Sequence, residues 1–392
     1  MQPINFTNFL LLSMMSKTLR SLTVFAAILV GSCGSDGAGI NYSTNNLPNT
    51  VSTRWEKYQA LEVLNDQPYS DIDTRLTFDF FKPDALRDKV LPLVVFAHPG
   101  AFVFGNKGDY ATRQLCKDFT RAGFATASIN YRKINFSLNN ISEKARKRVI
   151  MEAVADARRA ILYFKEHHTS MGIDPENIHF VGYSAGGIIA NHLVFSNEDE
   201  VAGYVHDGKF TEGLFEIPSN ELIKSAVSIS GGIMDERHID DRDLDSLRLL
   251  LIHGTKDGIV PFGKGRPFNA FIRDVDISIA ELFFELGLSF QENGIEEKEI
   301  IRRFSIKPGV RLPAGFLKGL RNLLVSDDIC GSSCIAQSMR SNKNIRIIPI
   351  IDAPHSFMLN KDSGILNETY GIMREQIYFF IESSILKIEG LQ

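Results

Sequence analysis

Gly182-Tyr183-Ser184-Ala185-Gly186-Gly187 is the stretch from which the fold can be read. Ile178-His179-Phe180-Val181 stands before it as a short strand, and Ala185–Phe195 follows as an apolar segment of helical length. A G-x-S-x-G sequence between a strand and a helix is a nucleophile elbow. The turn is too tight for side chains beside the serine, and it lifts Ser184 Oγ above the sheet edge. The N–H of Ala185, at the helix start, then faces the charge that develops on an attacked carbonyl oxygen.

Outward from the elbow, strand and helix alternate. Leu91–Ala97, Phe124–Tyr131, Ala226–Ile229, Leu249–Ile252 and Ile345–Ile350 read as strands, most of them apolar enough to be covered on both faces. Arg75–Phe81 alternates and ends at Lys82-Pro83, which predicts an edge strand. Helices are expected over Ala111–Ala122, Ser142–His168 and Tyr370–Leu386. The pattern predicts an α/β fold, a mostly parallel central sheet flanked by helices. Residues 262–343 exceed any crossover helix, and within them Ile277–Leu288, with Phe283 and Phe284, is helix-like and very apolar. They read as a helical, cap-like insertion over the C-terminal edge of the sheet, where open α/β sheets bind ligands; a peripheral insertion with no role at the site is the other reading.

Two further loops bear on chemistry. His98-Pro99-Gly100-Ala101-Phe102 follows the strand 91–97 and resembles the oxyanion loop of lipases and esterases, with Pro99 in place of the first glycine. The donors would be the backbone N–H groups of Gly100 and Ala101, and His98 would brace the loop. Asp257 follows the strand 249–252 within His253-Gly254-Thr255-Lys256-Asp257-Gly258-Ile259-Val260-Pro261. Of the nine histidines, His355 alone lies beyond Asp257, in a loop after the strand 345–350. The order serine, acid, histidine assigns Ser184 as nucleophile, Asp257 as acid and His355 as base. Asp352 competes for the acid by nearness in sequence, and Asp235 by its place after another strand.

Taken together, these motifs resemble α/β-hydrolase fold serine esterases, close to bacterial carboxylesterases and hormone-sensitive-lipase-like enzymes. Asn130-Tyr131-Arg132, Asp156–Ala160 and Gly172-Ile173-Asp174-Pro175 contribute to the likeness. The resemblance implies a carboxylic ester hydrolase working through an acyl-enzyme, without cofactor or metal, on a small-molecule or polymer-linked ester. Phe102, Phe104, Tyr183 and Phe357 flank the catalytic motifs and are candidates for an apolar acyl pocket. A peptidase of the prolyl-oligopeptidase kind would share the elbow, although no propeller-like repeats precede it. A non-catalytic binding protein on the same fold is the third reading.

The N-terminus looks like an export signal. Lys17 and Arg20 precede the apolar run Leu22–Val30, and Val30-Gly31-Ser32-Cys33 resembles a bacterial lipobox. The expected organisation is a lipoprotein-type signal over residues 1–32 with lipidation at Cys33, a flexible tether over 33–52, and the catalytic domain from 53 to 392. An ordinary secretory signal with an incidental cysteine is the alternative. Both predict the cell envelope or secretion, and lipidation would make the membrane a partner.

Composition sets the outer limits. In 392 residues, 44% apolar and 23% charged is a globular balance, which excludes a disordered or fibrous chain. A net charge of −4 offers no basic field for nucleic acid. Four cysteines are too few for a disulfide-built scaffold. Cys330 and Cys334 can close a small disulfide loop in an oxidising compartment or remain thiols, and Cys116 reads as a buried thiol on a helix. Asp240–Asp245 lacks the glycine and terminal glutamate of a calcium loop and reads as a solvated segment.

Overall fold

A computed structural model of the chain describes residues 53–134, 143–197, 213–239, 246–268, 279–288 and 328–386. The expected export signal, Cys33, the expected tether and the Asp240–Asp245 segment lie outside the described residues. Among those described, no helix is long and apolar enough to cross a membrane.

The strands, in chain order, are β1 (Ala60–Pro68), β2 (Thr77–Pro83), β3 (Leu91–Ala97), β4 (Ala125–Ile129), β5 (Ile173–Tyr183), β6 (Ser225–Ile229), β7 (Gly232–Ile233), β8 (Arg248–Gly254), β9 (Lys264–Gly265), β10 (Ile329–Gly331) and β11 (Ile345–Ile350). The longer helices are α1 (Tyr110–Arg121), α2 (Glu143–Glu166), α3 (Ala185–Phe195), α4 (Ile279–Glu285), α5 (Ser332–Ser338) and α6 (Glu368–Ile385). The main sheet runs β1-β2-β4-β3-β5-β6-β8-β11. β2 is antiparallel to both neighbours, and every pair from β4 to β11 is parallel. This is the α/β-hydrolase fold that the motifs resemble.

Strand period two divides the core between the two faces. Leu93, Val95 and Ala97 of β3 join one cluster with Ala153, Ala157 and Phe164 of α2 and Ile189 of α3. Val94 and Phe96 join the other with Leu115 and Phe119 of α1 and Ile377 and Phe380 of α6. The Phe164 ring meets Phe78 of β2 edge-on at 5.0 Å, and Phe119 meets Phe96 at 5.7 Å. Every residue of α3 is buried, as expected of a helix that is apolar on most of its surface, and its two polar side chains are hydrogen-bonded, Asn191 to the Gly232 carbonyl and His192 to Ser196 Oγ. At the start of the described chain, the Trp55 indole N–H donates to Glu375 Oε1 at 2.5 Å and docks the first turn on α6.

Three expectations need correction. Arg75–Phe81 is not an edge strand, because β1 pairs with β2 on its outer side. β1 escapes sequence reading because Asn65-Asp66-Gln67 breaks its alternation, and its pairing with β2 shifts register twice, between Glu62 and Leu64 and again between Leu64 and Gln67. The insertion is not wholly helical. β9 and β10 lie inside it and join β7 in a small antiparallel sheet, ordered β7-β10-β9. Two of these strands have only two residues, too few to show a period. Finally, the long helix stops at Glu166, and a short turn over His168–Met171 is closed by Gly172 at φ 62°.

One line of strand pairings places the site. Ala97 pairs with Gly182, Tyr183 with Ile229, Ile229 with Ile252, and Gly254 with Ile350. The loops that follow β3, β5, β6, β8 and β11 therefore leave the sheet at one level, on its C-terminal edge.

Candidate active site

Ser184 sits between β5 and α3 with φ 56° and ψ −113°, a conformation that L-residues rarely adopt. Its N–H donates to the Ile229 carbonyl at 2.8 Å, and that contact pins the strained residue to the neighbouring strand. The elbow also presses against β3. A Cβ on Gly186 would lie 2.2 Å from the Ala97 carbonyl oxygen, so only glycine fits.

His355 follows β11 and reaches back over the elbow. Its Nε2 lies 2.8 Å from Ser184 Oγ, and its Nδ1 lies 2.6 Å from Asp257 Oδ2. An ionised carboxylate only accepts, so Nδ1 carries the proton and Nε2 presents its lone pair to the serine hydroxyl. The His355 carbonyl accepts from Tyr183 Oη at 3.3 Å and Ser230 Oγ at 3.2 Å. The Tyr183 ring stacks beside the imidazole at 5.8 Å between centroids. Ser184 and His355 are almost wholly buried.

Asp257 is held at both oxygens. Oδ1 accepts from the N–H groups of Ile259 and Val260 at 2.8 and 2.9 Å. Oδ2 takes His355 and also His253, whose Nε2 is 3.0 Å away. Burial by itself would raise the carboxyl pKa; the charge and hydrogen bonds of the two imidazoles outweigh it and hold the group far below the ordinary carboxylate range. The competing acids are engaged elsewhere. Asp352 is exposed and pairs with Lys256 at 2.9 Å. Asp235 pairs with Arg237 and caps a short 3-10 turn.

The loop after β3 is a tight turn. Gly100, Ala101 and Phe102 have φ of 124°, 56° and 59°. The Gly100 carbonyl accepts from Val103 and Phe104 N–H at 3.0 and 2.8 Å. Left-handed backbone at a non-glycine residue costs roughly 1–2 kcal/mol, so the surroundings must impose it. His98 is part of those surroundings. Its ring stacks on Tyr131 at 4.3 Å, and its Nδ1 donates to the Pro99 carbonyl at 2.7 Å. Tyr131 Oη donates to the His98 carbonyl at 2.7 Å. Burial, reinforced by Lys133, pushes the His98 imidazole down to about 3, so it stays neutral. Among the described residues, no backbone carbonyl takes the N–H of Gly100 or Ala101.

The candidate pocket residues divide between the two faces. Phe102 and Phe104 belong to one core cluster, Tyr183 and Phe357 to the other, and all four are buried. What joins them is α4 and the turn after it. Leu282, Leu286 and Leu288 pack with the first cluster and Phe284 with the second. The Ser356 hydroxyl, next to His355, donates to the Phe284 carbonyl. The Phe283 side chain lies outside the described residues. A surface cavity of about 430 Å³, lined by Glu236, Lys264, Ser333, Cys334 and Gln337 among others, touches none of Ser184, His355 and Asp257.

Cys330 and Cys334 are joined by a disulfide, and Cys116 is a buried thiol. Sequence reasoning overlooked His253, Ser230 and Ser332. His253 stands inside the motif quoted for Asp257, but the required order of residues directed attention to His355 alone. No local signal marks the two serines.

Comparison with known proteins adds the following. The BD-FAE family model matches residues 78–225, which include the oxyanion-type loop and Ser184 but neither Asp257 nor His355. Esterase-5C of Drosophila miranda is 26% identical over 152 residues, 39% of this chain and 26% of that protein. Esterase P of Drosophila melanogaster is 29% identical over 163 residues, 41% of this chain and 25% of that protein. Gut esterase 1 of Caenorhabditis briggsae is 27% identical over 198 residues, 47% and 32% of the two chains. The match to Esterase-5C thus spans about a quarter of that relative's length. Among solved structures, Thermogutta terrifontis esterase 2 phosphorylated by paraoxon covers 83% of this chain and 95% of its own, with 18% identity and a TM-score of 0.47.

Proposed function

We propose that this chain hydrolyses carboxylic esters through a serine acyl-enzyme. The carrying observation is the continuous line from Ser184 Oγ to His355 Nε2 at 2.8 Å and from His355 Nδ1 to Asp257 at 2.6 Å, on a serine in left-handed elbow geometry. Sequence similarity to named esterases supports an ester as substrate.

In this reading Ser184 Oγ attacks the ester carbonyl carbon as His355 Nε2 takes the hydroxyl proton. Asp257 keeps the imidazole in the required tautomer and stabilises the imidazolium. The tetrahedral oxygen accepts from the N–H groups of Gly100, Ala101 and Ala185. His355 then gives its proton to the leaving alcohol as the C–O bond breaks. Water attacks the acyl-enzyme with His355 again as base, and the carboxylic acid leaves. The protein groups described suffice for this sequence of steps.

The test is labelling by a fluorophosphonate probe together with hydrolysis of p-nitrophenyl esters and aminoacyl anilides. Labelling of the wild type but not of Ser184→Ala, with turnover of esters in preference to anilides, is the expected result. No labelling would leave a binding protein on a hydrolase fold. Preferred anilide cleavage would make it a peptidase.

Residues 279–288 cover the mouth of this site and shape its acyl preference; their packing onto both core clusters and the Ser356–Phe284 hydrogen bond support this. Phe284→Ala is expected to alter the acyl chain-length profile, and an unchanged profile in a stable variant overturns the assignment. Export and lipid anchoring through Cys33 complete the proposal, supported by the lipobox-like Val30-Gly31-Ser32-Cys33. Cys33→Ser is expected to abolish metabolic palmitate labelling and release active protein from membranes.

A further inference from the structure

The proposed mechanism leaves one residue of the acid turn unused. His253 lies in β8 and is fully buried. Its Nε2 is 3.0 Å from Asp257 Oδ2 and 3.0 Å from the Val260 carbonyl oxygen. Both are acceptors only, so Nε2 carries the ring proton and shares it between them. Nδ1 then accepts from the Ser332 hydroxyl at 2.8 Å. Ser332 opens α5 and stands inside the loop closed by the Cys330–Cys334 disulfide. Phe262 packs edge-on against the imidazole at 5.7 Å. With both nitrogens committed and the ring enclosed, neither the tautomer nor the orientation of His253 is free to change.

His253 and His355 thus converge on the same oxygen of the same carboxylate, from 4 residues before it and 98 after it. We propose that His253 is a positioning residue for Asp257. It aims Oδ2 at His355 and takes up part of the carboxylate's hydrogen-bonding capacity, and Ser332 of the insertion holds it in place. This rests on the Ser184–His355–Asp257 reading above.

The physical consequence follows from competition for one anion. Each hydrogen bond donated to a carboxylate stabilises its charge and weakens its pull on other protons. Without the His253 N–H, Asp257 holds the His355 imidazolium more strongly. The imidazolium then releases its proton to the leaving alcohol less readily. Among the described residues, Ser184 and Tyr183 also face this pair. Tyr183 is fully buried and its phenol is held well above the ordinary range, mainly by burial, so it does not titrate in the window of the test.

Two isosteric amides separate positioning from packing. The Asn amide reaches the place of Nδ1 and the Gln amide the place of Nε2. His253→Asn therefore keeps contact with Ser332 and loses the donor to Asp257, while His253→Gln keeps that donor. The readout is kcat and KM for an activated ester across pH, with circular dichroism on each variant. In His253→Asn the acid limb is expected to rise by about half to one pH unit, and kcat to fall about tenfold with KM within about twofold. His253→Gln is expected to recover most of both changes. Superimposable profiles for the two amides, whether impaired or not, overturn the proposal. If His253→Asn does not fold, Ser332→Ala decides. A folded Ser332→Ala enzyme whose acid limb moves up by a smaller amount supports it, and an unmoved limb overturns it. The underlying triad is checked separately: a wild type that takes no fluorophosphonate overturns that reading and this one with it. A labelled wild type with indistinguishable amides overturns the role of His253 alone.

Discussion

The elbow and the acid turn leave the same sheet edge and are built in opposite ways. At the elbow the geometry is local. Residues 182–187 supply the turn and the proposed nucleophile, and what fixes the turn from outside is chiefly short-range packing, the carbonyls of Ala97 and Ile229 and the Ser228 hydroxyl on the Gly187 carbonyl. Its cost is conformational, a serine held at positive φ. At the acid turn the backbone is relaxed and the organisation is remote. Asp257 takes a histidine from 98 residues onward, and behind His253 stands a serine 79 residues beyond it. One region stores strain and the other stores charge. Changes at the elbow should therefore remove activity or folding outright, whereas changes around Asp257 should grade it.

The largest expected effect is at the proposed nucleophile. Ser184→Ala should lower kcat by roughly 10⁶, measured on a p-nitrophenyl ester against a protein-free blank. Asp257→Asn should fall short of that, by roughly 10³–10⁴, because the imidazole remains but in the wrong tautomer. Equal losses in the two variants would remove the proposed distinction between the regions. Gly186→Ala tests the strained side through stability. Its Cβ has no room against Ala97, so overpacking should lower unfolding free energy by about 3 kcal/mol, read from the denaturant midpoint.

These contrasts follow what could be read from the sequence. The elbow was legible because its determinants are contiguous: small residues around a serine, a strand before and a helix after. Leu91–Ala97 and Ala185–Phe195 coincide with the expected elements because apolar, buried runs leave little choice of boundary, and Ile345–Ile350, although only half-buried at the sheet edge, coincides because its apolar run is equally sharp. Asp257 was legible as a position in a chain order, but its second imidazole was not, since His253 and Ser332 meet only when β8 and the insertion are in place. β1 was hidden by polar residues at its register shifts, and the small sheet by strands too short to show a period. The division of Phe102, Phe104, Tyr183 and Phe357 between two faces depends on where each chain segment leaves the sheet, which adjacency to a motif does not reveal.

A smaller effect should appear on acidification. Among the described residues His98 Nε2 has no hydrogen-bond partner, so a proton there would be buried without an acceptor. Its pKa is held at about 3 by burial and Lys133, against about 6.5 in an unfolded chain. Above the unfolded value both states are neutral and stability is unaffected. As the pH falls from about 6.5 toward 3, the unfolded chain binds a proton that the native state refuses, and stability is lost. The Tm should fall through that window, and His98→Asn should flatten the slope. His179 and His192, also held at about 3 chiefly by burial, will keep part of it. The smallest effect belongs to Asp352→Asn. Its exposed pair with Lys256 is of the kind that contributes little, so kcat/KM should stay within about twofold of wild type. A collapse there would move the acid to the histidine loop and end the comparison of regions.

The pairing of β11 with β8 also governs how the proposed active site comes into being. The ladder from Ile345–Leu249 to Ile350–Gly254 is unbroken, although about 90 residues intervene between the two strands. Closing so long a loop adds little to the equilibrium cost, since each doubling of length costs only about 0.6 kcal/mol. Its effect is on rate, because contacts between distant segments form late and slowly. His355 lies just beyond that last strand, so an otherwise assembled sheet lacks the proposed base until β11 docks. During refolding the regain of the proposed ester hydrolysis is expected to trail the regain of secondary structure, and the interval between them times the arrival of the final strand.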